Sequence, residues 1–402
     1  MRQRVRAGAG TLLGCAALAA AVWAGSASAG SDENAVLSPL GMSIGSAPNP
    51  VRAVDNRFHL AYEITIVNQS GLDVMINSVR ARSAGKKIGD KLVGPDLNGL
   101  LRVNGGADTS VIPAGGSAVL FMDVDYKRKG ETPKRLTHSF DLTGVDPAGD
   151  NPDRQFRFGG VATPVGQEPA LRVGSPLRGK RWYVGNGCCD PINAHRGATL
   201  AINGTVEAPE RFAIDFVQLD KDNKLFEGPL DENESYAYFG AKIHSATDGK
   251  VVRTQDGMPE QTPGALDPNA TVQTAGGNYV VVRVDRGHYA FYAHMQPGSL
   301  RVDEGDRVRA GQVLGKLGNT GNTDAAHLHF HIMDSPSPLQ SNGLPFVFER
   351  FNGQGKVTNP QLLQTGAALD VDSSTLHGPY ANRMPLADQV INFGSDGGKS
   401  SR

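Results

Sequence analysis

The sequence predicts an all-β protein of two domains, an N-terminal immunoglobulin-like β-sandwich followed by a C-terminal antiparallel β domain. Three observations carry this expectation. The 402 residues exceed the roughly 100–200 that a single domain usually holds. The chain has 50 Gly and 24 Pro, which disfavours helices and favours short strands joined by turns. Apolar residues also alternate with polar ones in run after run, the period of a half-buried strand. Lys and Arg total 40 against 41 Asp and Glu, for a net charge of −1. That balance lacks the basic footprint of a nucleic-acid binder.

Residues 1–29 read as a signal peptide. Arg2, Arg4 and Arg6 precede an apolar run to about Ala24, and Ser26, Ala27, Ser28 and Ala29 form a small-residue cleavage site. A rival reading is a lipobox, Leu12-Leu13-Gly14-Cys15, which would leave a lipid on Cys15, although the apolar run continues past it. No later apolar segment is long enough to span a bilayer. The mature protein is therefore expected to be exported, to the periplasm, the cell wall or the medium. Export implies a disulfide-permissive compartment. Without Cys15, only the adjacent Cys188 and Cys189 remain. They are read as a structural vicinal disulfide or two free thiols, with no catalytic role.

Residues 30–50 are polar and read as a flexible leader, and 51–168 as the sandwich. In "FHLAYEITIVNQS", Leu60, Tyr62, Ile64 and Ile66 share one face while His59, Glu63 and Thr65 fall between them. "DVMINSVRARS", "GGSAVLFMDVDY", "SFDLTGV" and "RQFRFGGVATP" add further strands bounded by turn residues. Several short strands over about 120 residues suit a sandwich. His59 and His138 are isolated and read as structural.

A Pro/Gly-punctuated link opens the second domain, 169–370. Its strand signals are "RFAIDFVQL", "IHSATDGKVV", "GNYVVVRVD", "HYAFYAHM", "GDRVRAGQVLGKLGNTG" and "HLHFHIM". Two polar insertions interrupt them. The acidic "DKDNKLFEGPLDENESYAYFG" is not a calcium loop, because Lys224 and Leu225 stand where a ligand and a glycine are needed. The longer "TQDGMPEQTPGALDPNATVQTAGG" can either wall a cleft or be inert decoration. Residues 371–402 are expected to hold one strand, "LADQVINF", and a disordered tail.

The chemistry concentrates in "GNTDAAHLHFHIMD". In a strand, His327, His329 and His331 would point to one side while Leu328 and Phe330 pack on the other. His294 ends the strand "AFYAHM". Asp215 lies between Ile214 and Phe216, where a carboxylate is costly unless it meets a polar site or a cation. Two or three imidazoles and a carboxylate on strands match the ligand set of a catalytic zinc with an open position.

On "AIDF", "ATDGKVV", "GNYVVVRVDRGHYAFYAHM", "VDEGDRVRAGQVLGKLGNTG" and "HLHFH", residues 200–347 resemble the M23 peptidases, the lysostaphin or LytM-type zinc endopeptidases that cut peptide cross-links of bacterial cell wall. The resemblance implies a LytM-type β fold, one Zn2+ per chain, peptidoglycan peptides as substrate, Asp215 and His329 as metal ligands, and His294 and His327 as catalytic residues. The family's remaining ligand, a His four residues before the Asp, is absent, because that position is Arg211. An arginine side chain cannot give up its proton to bind a metal. His195 is the expected replacement, with His244 a poorer candidate. His331 stands where the family commonly has Glu, with a role in the second shell or at the metal left open. The "GKLGNTGN" turn is read as hairpin chemistry rather than substrate contact. The chain is thus expected to be an exported zinc metalloendopeptidase acting on peptidoglycan. The alternative, motivated by Arg211, is a catalytically degenerate wall-binding or regulatory module.

Overall fold

The computed structural model of the protein describes residues 36–104, 109–189 and 193–394. By its contacts the chain divides into Met1–Leu37 and one compact unit, Ser38–Arg402. The expected signal peptide, Cys15 and the end of the tail at 395–402 lie outside the described residues. Among the described residues no helix is long and apolar enough to cross a membrane. The protein is all-β.

Seven main strands form the N-terminal part: β1 (Leu40–Ser43), β2 (Phe58–Asn68), β3 (Asp73–Ser83), β4 (Leu101–Val103), β5 (Ser117–Tyr126), β6 (Arg135–Val145) and β7 (Arg154–Pro164). One sheet runs β1-β2-β5-β4 and the other β7-β6-β3. Leu60, Tyr62, Ile64 and Ile66 of β2 pack with Ile76 of β3, Leu120 of β5 and Phe140 of β6 in a single core between the sheets. The strict alternation of β2 dictates this, and all four of its core residues are 0 % exposed.

Two features of this part differ from the sequence reading. The leader 30–50 contains β1, which pairs antiparallel with the end of β2. Four residues are too few to display a period. The polar face of β2 is also covered rather than wet. His59, Ala61 and Glu63 are buried, and Ala61 packs in the core cluster of the C-terminal part.

His138 bonds the Tyr62 hydroxyl at 2.7 Å and the Val161 carbonyl at 2.8 Å, a structural role. His59 lies between two carboxylates, with Nδ1 2.8 Å from Asp123 and Nε2 3.2 Å from Asp55. Burial pulls its pKa down, but the two carboxylates outweigh burial and raise it to about 10. A folded-state pKa above the ordinary value means the charged pair stabilises fully below about pH 6.5 and loses its effect as pH rises through about 10. We therefore expect the melting temperature to decline over that window, and His59→Gln to melt lower at neutral pH with a flatter alkaline profile. Parallel profiles for the two proteins would contradict the assignment.

The C-terminal part is built on β8 (Gly179–Gly185), β9 (Ile214–Gln218), β10 (Gly249–Gln255), β11 (Asn278–Asp285), β12 (His288–Met295), β13 (Leu328–Met333), β14 (Phe346–Val357), β15 (Val371–Arg383) and β16 (Gln389–Phe393). Its sheet runs β14-β16-β8-β9-β13-β12-β11-β10, with β15 added on β14. β15 and β16 both belong to this sheet, which therefore continues past residue 370. β15 is largely exposed and polar, so it carries no apolar alternation to announce it. Cys188 and Cys189 are joined as a disulfide just after β8.

Candidate active site

The centre of the sheet sets the site. β9 pairs with β13 so that Asp215 stands directly opposite His329. On the other side of β13, Ala293 of β12 is opposite His329 and Phe291 is opposite His331. The period-two row is as the sequence requires: Leu328, Phe330 and Ile332 are 0 % exposed in the core behind, and the three histidines share the opposite face. Alternation alone would turn His294 away, since its neighbour Ala293 already faces the site. His294 has φ +61°, a left-handed conformation uncommon outside glycine. Its ring lies over the site, 4.4 Å from that of His327 between centroids.

The imidazoles are held in fixed orientations. His195, in the helical turn Ala194–Gly197, has Nδ1 3.0 Å from the carbonyls of both Asn186 and Ala213. Its Nε2 lies 3.1 Å from Asp215 Oδ2. His294 Nδ1 is 2.7 Å from the Thr320 carbonyl, and His327 Nδ1 is 2.8 Å from the Ala325 carbonyl. Carbonyls only accept, so each Nδ1 carries a proton and each Nε2 edge is turned toward the centre of the site. His329 is held from the opposite edge. Its Nε2 is 2.9 Å from His331 Nδ1, and its Nδ1 is 3.0 Å from Asp215 Oδ1. His327 Nε2 approaches the same Asp215 oxygen at 3.3 Å.

The charges follow from burial and proximity. Burial acts most strongly on Asp215 and would raise its pKa, yet His195 and His327 together hold it well below the carboxylate range. Burial would lower the pKa of His195, but Asp215 overcomes this and brings it to about 9. His294 and His331 are depressed well below ordinary histidine, chiefly by burial and then by neighbouring imidazoles.

His195, Asp215 and His329 offer donor atoms within 4.8 Å of one another, as do His294, His327 and His329. In the first set the contacts to Asp215 are 3.0–3.1 Å, the scale of separation donors adopt around one ion when each lies about 2 Å from it. The residues therefore fit a small divalent cation. His244, on the short strand Lys242–His244 beside Val313–Lys316, belongs to neither set. Arg211 is turned away from the centre, with Nε 2.9 Å and Nη2 2.6 Å from Glu63 Oε2.

The site opens into a cleft of about 630 Å3. Leu266 and Val272 from the long insertion help to wall it, while the acidic insertion instead buries Tyr236 and Tyr238 in the core. The "GKLGNTGN" turn does more than close a hairpin, since Thr320 holds His294 and Asn322 lines the cleft, as does the next residue, Thr323. Gly277 permits that approach. It has φ +59°, and a Cβ there would fall 2.1 Å from the Thr320 oxygen. Sequence reasoning missed Asn186, whose side chain donates to Asp215 Oδ2 at 2.8 Å while its carbonyl accepts from His195. A backbone contact of this kind leaves no signal in the sequence. It also missed Glu210 on the cleft wall, 4.0 Å from His329 Nε2.

Part of the chain is similar to known proteins. Residues 235–341 match the family model "Peptidase family M23", a stretch that carries His294, His327 and His329 and stops short of Asp215 and His195. The glycyl-glycine endopeptidase ALE-1 of Staphylococcus capitis is 30 % identical over 117 residues, 29 % of this chain and 28 % of that protein. Lysostaphin of Staphylococcus simulans is 35 % identical over 82 residues, 20 % of this chain and 16 % of that protein. The chain thus spans under a third of the length of these relatives. The solved catalytic domain of a mutant of the prophage-encoded M23 protein EnpA from Enterococcus faecalis aligns over 43 % of this chain and 93 % of that one, with 17 % identity and a TM-score of 0.26. Over residues 235–341 the chain is similar to peptidase family M23.

Proposed function

We propose that the protein is an exported zinc metalloendopeptidase that hydrolyses peptide bonds of peptidoglycan. The observation that carries this reading is the convergence of His195, Asp215 and His329 within 4.8 Å, with His294 and His327 beside them on one cleft wall. The relatives ALE-1, by its name a glycyl-glycine endopeptidase, and ShyC of Vibrio cholerae, a peptidoglycan DD-endopeptidase, support the substrate class. We assign His195 Nε2, Asp215 and His329 Nδ1 as ligands of one zinc, with Asn186 and His331 orienting them from behind. We read the sandwich as immunoglobulin-like, because β1-β2-β5-β4 facing β7-β6-β3 corresponds to the order A-B-E-D against G-F-C.

Zinc held by three protein ligands is a Lewis acid that lowers the pKa of its water to about 7. The protein supplies the rest. The Asn186 and Ala213 carbonyls hold the Nδ1 proton of His195, so Nε2 is the nitrogen that would meet the ion, in exchange for its own proton. His294 and His327 present Nε2 edges to the cleft, where one can accept the proton of the attacking water and the other can stabilise the developing oxyanion. The degenerate alternative rested on Arg211. The engagement of Arg211 with Glu63, and the donor that His195 offers in its place, favour the catalytic reading. The test is release of peptide fragments from purified peptidoglycan, lost on chelation and restored by zinc. A zinc-loaded protein that binds wall material and releases nothing would favour the alternative.

A further inference from the structure

Glu63 belongs to the sandwich, yet its partners belong to the site-bearing segments of the second domain. It lies on β2, on the face opposite the sandwich core, and is 8 % exposed. Its Oε1 accepts from Arg196 Nη1 at 2.7 Å, and its Oε2 accepts from Arg211 Nη2 at 2.6 Å and Nε at 2.9 Å. Both arginines are buried, at 3 % and 4 % exposed. Arg196 reaches further into the sandwich, where Nη2 donates to the Met122 carbonyl at 3.1 Å and the guanidinium lies 5.7 Å from the Phe121 ring centre.

Each arginine is coupled to a candidate ligand through the backbone. Arg196 adjoins His195 in a turn capped by the Asn193 side chain, which accepts the Arg196 amide at 2.9 Å. Arg211 opens the segment Arg211–Asp215, and within it the Ala213 carbonyl holds His195 Nδ1 at 3.0 Å. One buried carboxylate therefore ties down both segments that converge on the site. Neutralising it would leave two guanidiniums buried beside each other without the carboxylate that bridges them, a state the surrounding structure relieves by moving.

We propose that the sandwich is a working part of the metal centre, with Glu63 as a positioning residue that holds the His195 turn and the Asp215 strand in register through Arg196 and Arg211. This rests on the assignment of His195, Asp215 and His329 as metal ligands. It also gives Arg211 a role, since the residue that displaces the family's usual ligand is the one that fastens the sandwich to the site.

The test measures zinc affinity and the visible spectrum of the cobalt-substituted full chain. Wild type is expected to bind one ion. Glu63→Gln is expected to weaken zinc binding by roughly 10–100-fold, the usual effect of losing an outer-shell partner, and to shift the cobalt spectrum, while Glu63→Asp recovers part of the loss. Ile76→Ala, in the sandwich core away from this contact, controls for lost stability and is expected to leave affinity and spectrum at wild-type values. Wild-type affinity and spectrum in Glu63→Gln, or an equal loss in Ile76→Ala, overturns the proposal. Should Glu63→Gln not fold, Arg196→Lys is read against the same outcomes. A wild-type protein that binds no zinc or cobalt refutes the ligand assignment itself, a result distinct from failure at Glu63.

Discussion

His195→Ala is expected to abolish peptidoglycan cleavage and to leave the purified protein without stoichiometric zinc. The loss should exceed the roughly 10–100-fold typical of an outer-shell change, because a ligand disappears and Asp215 loses the partner 3.1 Å away. Elemental analysis and fragment release from cell wall measure both effects. Restoring histidine at the family's usual position, with Arg211→His in the same background, is not expected to rescue either one. The side chain at 211 faces Glu63, and the second substitution also breaks a buried ion pair. A His195→Ala protein that keeps its zinc and its activity would contradict the assignment.

His294→Ala and His327→Ala should behave differently. Each is expected to keep bound zinc and to lose kcat by about 10²–10⁴-fold, the usual contribution of a general acid or base. Their Nδ1 atoms are committed to the Thr320 and Ala325 carbonyls, so any proton exchange with substrate or water falls to Nε2, which in His327 also approaches Asp215 Oδ1 at 3.3 Å. Zinc content measured beside single-turnover rates separates the two classes of residue. Loss of zinc in both variants would instead support the other donor set, His294, His327 and His329.

Much of this arrangement was legible in the sequence, for reasons that can be named residue by residue. The long sandwich strands announce themselves because each packs one face on a single core, so Leu60, Tyr62, Ile64 and Ile66 repeat at period two. The row His327, His329, His331 is visible for the same geometric reason, and Asp215 stands out as a carboxylate among apolar neighbours. The position of His294 at a strand end can be read, but its orientation depends on φ +61°, which no side-chain pattern encodes. His195 sits in a four-residue turn with no period of its own, so only the misfit of Arg211 directed attention to it. Asn186 acts partly through its carbonyl, which every residue possesses. Glu63 reads as one more polar residue on the outer face of a strand. Its burial depends on the C-terminal part of the chain covering that face, through Arg196 and Arg211, a packing relation that local alternation does not express.

The most direct test is a diffraction experiment on zinc-soaked crystals, with an anomalous difference map collected at the zinc edge. The account predicts a single strong peak bonded to His195 Nε2, an Asp215 oxygen and His329 Nδ1. A peak bonded to His294 and His327 in place of His195 and Asp215, or no peak at full zinc loading, would contradict it.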